Sequence, residues 1–204
     1  MKYLTLIFIL VTFISCKESS NQSTKKPIDY YHLPTFANDT LQAVIEIPAG
    51  TNKKIEYHKE RKEFIVDSID GQPRSIKFLP YIGNYGFIPS TYSNPEEGGD
   101  GDALDILVLA ESQPSGSVMK VIPIGALRLQ DNGASDDKII AVPAQKELQI
   151  FPVEDFESLS IQYPEIRKII SLWFQNYDKK DKLSVLAFNG EDTATAIIKK
   201  WSKN

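Results

Sequence analysis

Between Leu41 and Val142 the chain is cut into short β-prone runs by turn-rich pieces, and after Pro164 its apolar period lengthens to that of a helix. Leu41-Gln-Ala-Val-Ile-Glu-Ile47 is apolar and β-branched enough for a strand, and Pro48-Ala-Gly50 stops it. Further short strands are expected at Lys54–His58, Phe64–Asp67, Ser75–Leu79, Asp105–Leu109, Ser117–Val121, Ile124–Leu129 and Lys138–Val142. Many short strands at this spacing suit a small barrel or sandwich. Pro164 stands where a helix can begin. Ile166, Ile169, Ile170, Trp173, Phe174 and Tyr177 then fall on one helical face, and Ala194, Ile197, Ile198 and Trp201 repeat the spacing. The expected class is α+β, mainly β: a small β-barrel with two packed C-terminal helices. The last helix serves equally as a contact in a homo-oligomer.

The N-terminus has a different character. Lys2 precedes an eleven-residue apolar run from Leu4 to Ile14, followed by Ser15-Cys16. These are the parts of a secretory signal, and the run is too short to span a bilayer. Residues 17–26 are charged or polar, which suits a linker. Cys16 is the one cysteine in the chain, so no internal disulfide is available. Phe13-Ile-Ser-Cys16 resembles a bacterial lipobox, whose cysteine becomes the lipid-bearing first residue. The expected organisation is a signal at 1–15, lipidated Cys16 with a tether and lead-in at 16–40, and one domain at 41–204. Such a protein sits in the cell envelope, lipid-anchored to a bacterial membrane. Without residues 1–15, 22 basic residues face 27 acidic ones, a net charge of −5. That balance gives no electrostatic reason to bind nucleic acid.

The segment Gly98-Gly-Asp100-Gly-Asp102-Ala-Leu-Asp105 places three carboxylates within six residues. Carboxylates crowded in a turn repel one another unless cations sit between them. Hard oxygen ligands of this kind favour Mg²⁺, Mn²⁺ or Ca²⁺ over zinc. On spacing alone a solvated acidic turn fits equally, since Asp and Gly dominate ordinary turns. A second acidic group, Asp131-Asn-Gly-Ala-Ser-Asp136-Asp137-Lys138, lies between two expected strands and also reads as a hairpin turn. Glu46 stands alone on an otherwise apolar strand; one such glutamate ordinarily faces water.

Asp100-Gly-Asp102-Ala-Leu-Asp105 resembles the aspartate signature of soluble family I inorganic pyrophosphatases, D-[SGDN]-D-P-[LIVM]-D. The likeness continues in order from about Leu41 to the C-terminus. Val44-Ile-Glu46-Ile-Pro48 is similar to the family's opening strand, and Asn52-Lys-Lys54-Ile-Glu56 to a segment bearing a phosphate-binding lysine and a glutamate. Arg74 is the best match to the family arginine, and Asn84-Tyr85-Gly86-Phe-Ile-Pro89 to a block with a phosphate-binding tyrosine. Asp131, Asp136 and Lys138 match a D-x₄-D-x-K block. Tyr177 matches a further phosphate-binding tyrosine.

The resemblance implies an OB-like barrel and Mg²⁺-dependent hydrolysis of pyrophosphate to two phosphates, with Mn²⁺ as a possible substitute. Metal ions neutralise the polyanion and lower the pKa of bound water. It assigns Asp100, Asp105 and Asp136 to one ion, with Asp105 bridging to a second about 3.5–4 Å away. Asp102 is left to orient the attacking water and accept its proton. Glu46 and Asp131 help hold ions that arrive with the substrate. Lys54, Arg74, Lys138, Tyr85 and Tyr177 bind phosphate oxygens. Glu56 is either a ligand through water or a secondary proton donor.

Two positions depart from the family. Ala103 replaces a turn proline, and Asp178 replaces the lysine that follows the helix-end tyrosine. A helix C-terminus carries partial negative charge, so Asp178 implies weaker substrate binding unless Lys179 swings into the lysine's place, a role for which Lys180, two residues on, is no better positioned. Competing readings are a cation-binding lipoprotein without turnover, a nucleic-acid-binding barrel, and an enzyme for another exported phosphoanhydride.

Overall fold

The computed structural model describes residues 27–178 and 183–203. The expected signal, Cys16, Lys179 and Lys180 lie outside the described residues. The strands are β1 (Phe36–Ala37), β2 (Thr40–Ile47), β3 (Ile55–His58), β4 (Glu63–Val66), β5 (Ser68–Ile69), β6 (Gln72–Pro73), β7 (Asn84–Phe87), β8 (Asp105–Val108), β9 (Val118–Asp131), β10 (Ala134–Ser135), β11 (Lys138–Pro143) and β12 (Leu183–Asn189). The helices are α1 (Phe156–Gln162), α2 (Pro164–Asn176) and α3 (Glu191–Trp201).

Pairing runs β2–β7–β8–β11–β9, and β9 pairs again with β2. The five strands therefore close on themselves, which removes exposed edges. Closure depends on the 14 residues of β9. Its start pairs with β2, its middle with β11 and its end with β12. The sequence suggested two strands here, broken near Ile122-Pro123. Instead Pro123 sits beside a register shift against Ile140 and Ala141, an irregular position that tolerates a residue with no N–H to donate.

β8 and β11 are parallel, with Asp105 level with Lys138. Both are buried on both faces, so they read as unbroken apolar runs rather than alternating ones. Ile106, Val108, Ile139 and Ala141 share one core with α3, through Ala194, Ile197, Ile198 and Trp201. Leu107, Leu109, Ile140 and Val142 share a second core with Leu159 of α1 and with Ile170, Trp173 and Phe174 of α2. The two expected helices form as α2 and α3; the short α1 precedes them. Ile169 departs from its expected place on the buried face of α2 and is 53% exposed. Trp173 fixes α2 by donating its indole N–H to the carbonyls of Leu79 and Pro80, both at 3.0 Å.

Ser75–Leu79 is not a strand; only Ser75 makes a bridge, to Lys53. The sequence reading also missed β7 and β12. The lead-in is packed onto the domain: Tyr57 Oη donates to Ile28 O at 2.8 Å, and Thr35 Oγ1 to Pro89 O at 2.9 Å. Asn84, fully buried at the start of β7, ties two loops together. Its Oδ1 accepts from Ala49 N and Gln113 N, and its Nδ2 donates to Glu111 O.

Candidate active site

The first acidic loop is folded by its own backbone. Ser93 N donates to Asp102 O at 2.7 Å, and Gly101 N to Ser93 O at 2.8 Å. A Cβ on Gly99 would lie 2.4 Å from the Ser93 carbonyl carbon, so this approach requires glycine. The loop thereby brings Asp100 and Asp102 to the start of β8, where Asp105 stands. Ala103 packs against the Val44, Tyr57 and Phe87 cluster, which holds the turn at the position where the family has proline.

The second acidic loop is a two-residue hairpin between β9 and β10. Asn132 and Gly133 both have positive φ, 48° and 97°, as a type I′ turn demands. Ser135 N donates to Gly98 O at 2.8 Å, so the two acidic loops are joined directly. Asp136, Asp137 and Lys138 then alternate. Asp137 turns away to Arg128, 2.7 Å distant, while Asp136 and Lys138 face the cavity. The turn and ligand readings of this segment are thus compatible.

All twelve residues assigned from the sequence line one cavity of about 570 Å³. Lys138 Nζ lies between the acidic loops, 2.5 Å from Asp105 Oδ2 and also bonded to Asp136. Tyr85 Oη donates to the same Asp105 oxygen at 2.6 Å. Glu46 does not face water: it is buried, and its Oε1 accepts from Tyr57 N at 2.8 Å. Lys54 pairs with Glu56 at 2.9 Å. Arg74 Nη1 and Nη2 lie 3.4 Å from Asp67 and Asp178 respectively. Tyr177, at the end of α2, stacks on Trp173 with ring centroids 5.0 Å apart. Tyr31 and Tyr81 also line the cavity and were not singled out from sequence. Tyr81 lies just upstream of the Asn84–Pro89 block; Tyr31 belongs to the lead-in and carries no local signal.

Among the described residues, seven carboxylates line this cavity, Glu46, Glu56, Asp100, Asp102, Asp105, Asp131 and Asp136, against the three cations Lys54, Arg74 and Lys138. Burial is the main cause pushing Glu46 up to about 8, with Asp105 and Glu56 adding to it. Burial likewise pushes Asp100 up to about 6, reinforced by Asp105 and Asp136. Burial works against the charge on Lys138, but Asp105 and Asp136 outweigh it and raise its pKa. Among the described residues no three acidic, His or Cys side chains are gathered tightly enough to enclose a metal ion; the Lys138 ammonium lies between Asp105 and Asp136. The donor set nevertheless fits hard divalent cations: every ligand is a carboxylate, and the carboxylates outnumber their counter-ions.

This excess has a thermodynamic consequence. A carboxyl whose pKa is raised in the folded state contributes stability that is present below its unfolded value and lost as pH rises through its folded value. For Glu46 the window runs from about 4.5 to about 8. A shift of one unit is worth about 1.4 kcal/mol, so the effect is on the order of a few kcal/mol. In EDTA, the thermal unfolding midpoint is expected to fall between pH 5 and pH 9, and Glu46→Gln to remove most of that fall. A midpoint that stays flat or rises over this range contradicts the electrostatic description.

The inorganic pyrophosphatase family model matches residues 43–204. The inorganic pyrophosphatase of Nanoarchaeum equitans is 36% identical over 169 residues, covering 80% of this chain and 96% of its own. That of Kluyveromyces lactis is 33% identical, and this chain covers 64% of its greater length. The crystal structure of inorganic pyrophosphatase from Thermus thermophilus superposes with a TM-score of 0.72 at 26% identity, over 84% of this chain and 95% of that one. The chain belongs to the inorganic pyrophosphatase family.

Proposed function

We propose that this chain hydrolyses inorganic pyrophosphate to two phosphates with the help of Mg²⁺, for which Mn²⁺ can substitute. The observation that carries the reading is convergence. Twelve side chains drawn from scattered segments between Glu46 and Tyr177 line one cavity, and family membership supplies the chemistry. An excess of carboxylates repels a polyanion, so substrate binding requires cations as well.

Glu46, Asp100, Asp105, Asp131 and Asp136 would hold those cations. Bound there, they neutralise phosphate oxygens and lower the pKa of a coordinated water. Asp102, on the exposed side of the loop, orients the attacking water and takes its proton at a carboxylate oxygen. Arg74, Lys54 and Lys138 bind phosphate oxygens, as do the hydroxyls of Tyr85 and Tyr177. Phosphoryl transfer asks for this positioning and charge compensation more than for covalent help. Glu56, ion-paired with Lys54, holds that lysine at the cavity wall. The rings of Tyr81, Trp173 and Phe174 line the same cavity and limit water access.

The purified chain is expected to release phosphate from Mg-pyrophosphate and to stop in excess EDTA. Asp102→Asn keeps size and loses basicity, so kcat should fall by about 10²–10⁴-fold with thermal unfolding unchanged. Full turnover in EDTA, or an Asp102→Asn enzyme within threefold of wild type across the pH range, contradicts this mechanism.

We further propose that a lipid on Cys16 fastens the enzyme to a bacterial membrane in the cell envelope. Among the described residues no helix is long and apolar enough to cross a membrane. Because the chain is already packed from Ile28 onward, residues 17–26 set the reach. Ten residues span at most about 35 Å, so the proposed anchor keeps the domain close to the bilayer. Fatty-acid labelling should be present in wild type and absent in Cys16→Ser; equal labelling of the two rules the anchor out.

A further inference from the structure

Arg74, like Lys54, is a cavity cation whose ion-pair partners lie outside the acidic loops. Its guanidinium reaches Asp67 through Nη1 and Asp178 through Nη2, each at 3.4 Å. Its backbone is held as well: Arg74 N donates to Asp67 O at 2.7 Å, and Arg74 O accepts from Lys54 N at 3.0 Å. Asp178 follows Tyr177, the residue that caps α2. Its carboxylate therefore adds to the partial negative charge of a helix C-terminus, a place that favours a cation. Arg74 supplies that cation.

From this geometry we infer that Asp178 sets the affinity of the site by competing with phosphate for Arg74. An Arg–phosphate pair is strongest when two parallel N–H groups meet two oxygens. One guanidinium nitrogen is already turned to Asp178, and the flanking carboxylates outnumber the guanidinium charge two to one. Both contacts exceed the usual 2.7–2.9 Å of a charge-assisted bond, so a phosphate can displace them. Asp178 is a positioning residue in this account: it acts through Arg74 and sets how much of that cation the substrate receives. The inference rests on the pyrophosphatase reading of the cavity.

The test compares wild type, Asp178→Asn, Arg74→Ala and the double variant in the full chain. Asp178→Asn should lower KM for Mg-pyrophosphate roughly two- to fivefold, the range expected of a partly exposed ion pair, with kcat within about twofold. In the Arg74→Ala background the same substitution should leave KM essentially unchanged. An unchanged or raised KM in Asp178→Asn overturns the inference. So does an equal fall in both backgrounds, which would make Asp178 a long-range charge effect. Binding of inorganic phosphate with Mg²⁺ is measured by calorimetry on the same four proteins, with the same pattern expected. A wild type that binds phosphate without hydrolysing pyrophosphate would refute the proposed function, while the phosphate affinities still decide the role of Asp178.

Discussion

The rest of the site follows from one imbalance: among the described residues, a closed barrel gathers more carboxylates than cationic side chains around one cavity. Lys138 shows how far the protein goes alone. Its ammonium is buried between Asp105 and Asp136 and is kept charged by them. Among the described residues neither Glu46 nor Asp100 forms an ion pair, and burial pushes both towards the neutral form. A buried carboxylate without a counter-ion is costly. Under the proposed function the same carboxylates would hold divalent cations, which would relieve the repulsion and present positive charge to an anionic substrate.

Backbone pairing sets this up. The parallel register of β8 and β11 puts Asp105 level with Lys138. The Ser135–Gly98 bond locks the two acidic loops together. β7 threads between β2 and β8, placing Tyr85 against Asp105. α2 and its cap residue then add Trp173, Phe174 and Tyr177 to the cavity lining, with Phe174 beside the Tyr85 ring. Loss of the strand register would disperse the site even with every side chain intact.

Much of this was legible in the sequence, for unequal reasons. The stripes of α2 and α3 were visible because helical amphipathicity is a local pattern. The break at Pro123 was misread because a proline ordinarily ends a central strand, and the register shift that admits it is a property of the pairing. β7 was missed because its four residues include Gly86 and Asn84, whose role is to tie two loops, not to fill a core face. The burial of Glu46 was invisible locally, since one glutamate on an apolar strand reads as solvent-facing. Tyr31 was out of reach because the lead-in returns to the cavity through long-range contacts with Tyr57 and Phe87. Family resemblance joined residues that spacing alone left as separate turns.

The carboxylate excess implies that this cavity receives an anion only after cations have compensated its charge. Calorimetric titration of the intact protein with inorganic phosphate, in Mg²⁺ and in EDTA at the same ionic strength, tests it most directly. Saturable binding is expected in Mg²⁺ and none measurable in EDTA. Equal phosphate affinity under both conditions would contradict it.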